Sequence, residues 1–386
     1  MSYDLEVFAR RPLASDGLRD LLAASSGLHV GPSTPGCLTV LRGARGNDCF
    51  TLDGPAPIDP EDVPAEVSAV LLDASYLYRI AAVEGSAEVS IQHAIRFARR
   101  LAESTDGAVV DQQTERVWSR SRSRSFRRPE PTTRVDVVEL EWFCLRADID
   151  DGTPTVFLET VERHLPEALP RRFGEHEPLQ GRYDDGGAEG FLRSWRDATS
   201  FISFTGTGVC ADGAMDAGPA DEFSGPFWSM SLSVHAEALR SPDWREAARR
   251  VFLALADGLP AFYACATVTR DHIWSGRSLR ADGRTESVHR PLERQDSWMG
   301  LPPRTPWWTW LGTPYREVAS LLPARRVTAT RVGVLWESAP DPAPADSLEP
   351  LSVLLPAEHF ATPTRSTRWG PASLTRALSI PDALRG

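Results

Sequence analysis

Glu175-His176-Glu177 is the one tight acid–imidazole group in the chain. Flanked by Gly174 and Pro178, it reads as an exposed loop, and a general base or metal ligand there needs convergent partners. His235 is the second candidate. Over residues 227–235, Trp228, Met230, Leu232 and Val234 face one way, and Ser229, Ser231, Ser233 and His235 face the other. If the second face lines a pocket, Ser231, Ser233 and His235 cluster there. A solvated sheet face is the plainer reading. Asp148, Asp150 and Asp151, followed by Gly152 and Glu159, resemble the start of a calcium loop. The glycine is displaced by one position and Pro154 occupies a ligand position, so a strand-to-helix turn with capping aspartates is expected.

Arg120, Arg122 and Arg124 alternate with serine. In extended backbone their guanidinium groups share one face about 7 Å apart, a spacing suited to phosphates or carboxylates. The competing reading is a hydrated linker. Tryptophan is the other concentrated residue type. Eleven of the twelve lie after residue 135, and Trp298, Trp307, Trp308 and Trp310 crowd one segment. Neighbours in extended backbone point to opposite sides. The adjacent Trp307 and Trp308 are therefore expected to put one ring near a surface, with Arg304 and Tyr315 beside it. Tryptophan and arginine dominate interface hot spots.

Many chemistries are excluded. All 42 basic residues are arginine, so no phosphate-loop or Schiff-base lysine exists. There is no GxSxG elbow, no HExxH and no GxGxxG after a strand. Gly206 and Gly208 mark a tight turn rather than a dinucleotide loop. The five cysteines are widely spaced without a CxxC pair, and no two of the eight histidines have i, i+4 spacing. No metal and no cofactor are therefore expected. The net charge of −11 argues against general nucleic-acid binding, which needs a basic surface. The N-terminal residues alternate like a strand, unlike a signal peptide. The longest apolar stretch, 251–268, is interrupted by Asp257, Gly258 and Pro260. No membrane span and a cytoplasmic location are expected.

The elements that must position these residues are legible in outline. Residues 3–8 alternate as a half-buried strand, and 16–24 place leucines at helical spacing. Ile91, Ala94, Ile95, Ala98, Leu101 and Ala102 form a helical stripe ended near Gly107. Residues 118–134 hold six arginines and one glutamate, a net +5, with Pro129 and Pro131 against regular structure. They are read as a linker between domains 1–117 and 135–386. The second domain restarts with a strand over 135–145. It continues with a helix from Pro154, the strand 227–235, a helix opened by Ser241-Pro242-Asp243, and strands over 261–268 and 327–336. Residues 270–311 read mostly as loop, and the last 25 or so lack periodicity. The expected class is α+β: two sandwich-like domains with mainly antiparallel sheets and helices on one face.

The stretch with Ile95, Phe97, Leu101, Gly107, Asp111, Val117 and Trp118 resembles a helix–strand segment of small bacterial α+β proteins. Some of these are immunity proteins of polymorphic toxin systems. Trp244, Phe252, Leu255, Ala261 and Tyr263, then Trp307, Trp308, Trp310, Gly312, Pro314 and Tyr315, are similar to the second part of some immunity families associated with type VI secretion. The resemblance covers about one fifth of the chain and transfers no catalytic residue. It implies a non-enzymatic protein that binds and blocks a cognate toxin. An acidic surface suits a basic effector. Two alternatives stand beside it: a lysine-independent hydrolase with an interdomain pocket using His235 or His176, and a sensor of an anionic ligand at the arginine segment.

Overall fold

Period-2 alternation with one apolar face builds both halves of the chain. The computed structural model describes residues 3–34, 37–82, 88–111, 113–114, 116–120, 122–125, 133–217, 225–274, 279–281, 285, 293–294, 297–363 and 374–385. The chain divides into two compact units, Met1–Glu130 and Pro131–Gly386.

The first unit is an eight-stranded antiparallel sheet. Its strands are β1 (Tyr3–Ala9), β2 (Leu28–Thr34), β3 (Cys37–Arg42), β4 (Asn47–Pro57), β5 (Tyr76–Ala82), β6 (Ala108–Asp111), β7 (Arg116–Ser119) and β8 (Arg122–Ser125). Their order is β2-β3-β4-β5-β1-β6-β7-β8. Leu5, Val7, Leu52, Ile80 and Val109 meet the apolar stripes of α1 (Ser15–Ala23) and α3 (Glu88–Ser104) on one face. The short α2 (Ala65–Ser68) covers Phe8, Leu77 and Val110 on the other.

Part of the expected linker is structured. Residues 116–125 form the β7–β8 hairpin, with Val117 opposite both Val110 and Arg124. Arginine and serine hid a period-2 segment whose apolar anchors are Val117 and Trp118. Arg99 lies over the Trp118 ring at 4.5 Å and supports its edge of the sheet by cation–π attraction.

The second unit carries an eleven-stranded antiparallel sheet. Its strands are β9 (Arg134–Leu145), β10 (Arg172–Gly174), β11 (Gly181–Arg182), β12 (Phe201–Thr205), β13 (Cys210–Asp216), β14 (Phe227–His235), β15 (Tyr263–Trp274) and β16 (Leu279–Arg280). After the two-stranded ribbon of β17 (Glu293–Arg294) and β18 (Ser297–Trp298) come β19 (Trp308–Gly312), β20 (Val327–Ala329) and β21 (Gly333–Glu337). The sheet order is β11-β10-β12-β13-β14-β9-β15-β19-β21-β20, with β16 on β15.

One face buries Leu140, Trp142, Trp228, Leu232, Trp308 and Trp310 under α4 (Thr153–His164), α5 (Tyr183–Asp197) and α6 (Pro242–Gly258). At one end of the other face, Phe143, Phe227, Tyr263, Leu311 and Trp336 are covered by the C-terminal third. That cover includes Trp298, Tyr315, α7 (Arg316–Ala319), α8 (Leu351–Leu354) and Ile380. The described parts of the segments without periodicity therefore cover one end of that face. They supply scattered anchors rather than a stripe.

Candidate functional site

The structure corrects the expected surface at the paired tryptophans. Trp307, Trp308 and Tyr315 are 0%, 1% and 0% exposed. Alternation holds only between residues of one strand, and Trp307 lies in the bend before β19. Both rings turn into the helix-side core and stack, with centroids 4.1 Å apart at 22°. The Trp307 Nε1–H donates to the Ala339 carbonyl at 2.9 Å, and that of Trp310 to Ala261 at 3.1 Å. Tyr315 lies in the opposite layer, where its hydroxyl accepts from Trp298 Nε1 at 2.7 Å. Of the four residues expected at the interface, Arg304 alone is exposed. The arginine alternation spans a turn and a strand. Arg120 is exposed in the turn after β7, whereas Arg122 and Arg124 belong to β8.

In the Glu175-His176-Glu177 group, Glu175 is held by the turn at Thr199 and Ser200. Glu175 Oε1 accepts from the backbone N–H of Thr199 at 3.0 Å and of Ser200 at 3.2 Å, and from the Thr199 hydroxyl. Burial works to raise its carboxyl, but these bonds and the neighbouring His176 outweigh it and hold the group below its ordinary value. Glu175 thus ties down the turn before β12. Of the aspartates at 148–151, Asp150 closes the turn before α4, whose N-cap is Gly152 without a side-chain cap bond. Asp150 Oδ1 accepts from Gly152 N at 2.8 Å, and Thr153 Oγ1 accepts from Asp150 N at 3.1 Å.

The face that carries His235 is polar over four strands. Ser233 stands opposite both Asp212 and Glu139, and Thr267 is opposite Glu139. In the next row Ser231 and Cys265 flank Glu141. Asp212 accepts bonds from the Ser233 side chain and the Leu279 backbone N–H. Burial raises its carboxyl above the ordinary range, and the charges of Glu139 and Glu177 push it further. The Cys265 thiol lies 3.5 Å from Glu141 Oε2. Burial, then the charge of Glu141, drives it well above its ordinary value. It stays a thiol and is no nucleophile.

At the His235 end the sheet is open and a recess forms. The β15 register shifts between Thr269 and His272 against β9, with Asp271 at φ 64°. The bulge adds one residue to β15, which stays paired with β9 at His272–Val135 and Ile273–Arg134, and so reverses the faces of the side chains after it. It brings the Trp274 ring edge-on to His235, 4.9 Å between centroids at 81°. The resulting concavity of about 580 Å³ is lined by Val135, Val268, Pro342 and Pro344, with Arg134, Arg240 and Arg270 among its charged residues. Arg270 holds Asp346 at 2.8 Å, Arg240 holds Glu237 at 3.0 Å, and Arg134 Nη1 donates to the Asp271 carbonyl at 2.8 Å. Burial lowers the His235 pKa and favours its neutral ring. Alternation pointed to His235. Nothing local pointed to Trp274, Arg134 or Arg270, which the bulge of β15 and the start of β9 bring there, while a bridge from Val268 brings Pro344.

No protein-family model and no curated protein matches the chain. Among solved structures it is similar to a Pseudomonas aeruginosa T6SS protein, with 15% identity and a TM-score of 0.41 over 57% of this chain and 76% of that one. A putative glycine cleavage system transcriptional repressor gives 10% identity and a TM-score of 0.19, covering 70% of this chain and 99% of its own. The di-domain ARO/CYC StfQ of steffimycin biosynthesis gives 17% and 0.17, covering 67% and 95%. Likeness at these scores assigns neither fold nor function. Among the described residues no helix is long and apolar enough to cross a membrane.

Proposed function

We propose that this chain is a non-enzymatic protein-binding module of the immunity type, which holds a cognate toxin and blocks it. The observation that carries the reading is the recess at the open end of the eleven-stranded sheet. Trp274 and His235 wall it, and arginines line it. An aromatic anchor with arginines on a rigid sheet is the composition of an interface hot spot. The net charge of −11 adds long-range attraction for a basic effector and speeds encounter. The role first expected of Trp307 and Trp308 passes to Trp274.

The test is co-expression with a toxin encoded beside the chain. The chain restores growth, and Trp274→Ala, folded as judged by circular dichroism, does not. A Trp274→Ala chain that protects as well as the parent contradicts the assignment.

A further inference from the structure

We infer that the group entering this recess is a carboxylate carried beside an aromatic ring, as a phenylalanine or tyrosine at a partner's C-terminus presents it. The inference rests on the protein-binding reading and names the chemistry of the contact. Three features converge on it. Val268, Pro342 and Pro344 give the recess an apolar lining, and the Trp274–His235 pair gives it an aromatic wall. A volume of about 580 Å³ suits one ring and its backbone, within the ~300–1,000 Å³ typical of ligand sites.

The arginines already bind carboxylates. Arg270 holds that of Asp346 and Arg240 that of Glu237, in ion pairs open to solvent. Such pairs contribute little to stability, so a partner's carboxylate exchanges into them at small cost. Arginine's planar fork selects carboxylate by geometry. A cationic guest is disfavoured. The lining acids are Asp136 and Glu237. Asp136 accepts from Asp271 N, Glu237 is paired with Arg240, and three arginines oppose an incoming cation.

The test is an NMR titration that follows the His235 ring protons of the full chain. The probes are N-acetyl-phenylalanine, which has the ring and the carboxylate, and N-acetyl-phenylalaninamide, which has the ring alone. The acid is expected to give a saturable shift and to bind at least tenfold more tightly than the amide. Arg134→Gln/Arg270→Gln abolishes that preference, Arg240→Gln reduces it, and Trp274→Ala removes binding of both probes. Equal binding of acid and amide, or no saturable shift, overturns the assignment. The two readings fail separately. A toxin neutralised equally by Arg134→Gln/Arg270→Gln overturns the carboxylate contact and leaves the binding module standing. A saturating acid titration in a chain that protects against no toxin does the reverse.

Discussion

Trp274 meets His235 edge to face, 4.9 Å between ring centroids at 81°, although the two belong to strands separated by β9. The contact exists because the bulge after Thr269 adds one residue to β15, which stays paired with β9, and so places Trp274 on the face that carries His235. One extra residue thus supplies the aromatic pair that lines the recess.

The stacked tryptophans give a stability prediction. Trp307→Ala and Trp308→Ala each remove a fully buried indole and are expected to cost about 3–5 kcal/mol. Conversion to phenylalanine separates them. Trp307→Phe deletes a bond to the Ala339 carbonyl, whereas the buried Trp308 Nε1–H has no acceptor. Losing an unpaired buried donor removes a penalty of about 1–3 kcal/mol. Denaturant unfolding should therefore find Trp308→Phe the milder change.

How much of this was legible follows from where periodicity operates. The strand ending at His235 was legible because eight residues, Trp228 to His235, alternate without a break, and its polar face identified Ser231, Ser233 and His235 together. Trp307 was misread because alternation was carried one residue beyond its strand. The β7–β8 hairpin was hidden because arginine and serine leave few apolar residues to show its period. The recess was illegible because it is assembled from the start of β9, the ends of β14 and β15, and the loop at Pro342–Pro344. No local pattern encodes that convergence.

His235 gives a pH prediction with a definite sign. Its folded pKa lies below the unfolded value, so the unfolded chain takes up its proton first as pH falls. Its contribution is present above about pH 6.5 and is lost as pH falls toward the folded value. Arg134, Asp136, Glu237, Arg240 and Arg270 line the same recess. His235→Gln is expected to lose less stability than the parent between pH 7 and pH 5, measured by urea unfolding at each pH. A parallel loss contradicts the burial of a neutral ring.

Asp212 has the opposite sign. Its carboxyl is raised above the unfolded value, so its protonated form favours the fold. That contribution is full at acid pH and is lost as pH rises through the raised pKa. Asp212→Asn removes the charge beside Glu139 and Glu177 and retains an acceptor for Ser233 and the Leu279 N–H. It is expected to raise the unfolding midpoint at pH 7 and to change it less at pH 4. A lower midpoint at pH 7 would show that the ionised carboxylate stabilises the fold.

The central claim is that the recess holds a protein partner. Calorimetric titration of the chain with its purified cognate toxin domain tests it most directly, with Trp274→Ala measured beside the parent. A hot-spot tryptophan contributes at least ~2 kcal/mol, so the account predicts a Kd weakened by about thirtyfold or more in a variant that unfolds cooperatively like the parent. An unchanged Kd would place the partner elsewhere on the molecule and contradict the account.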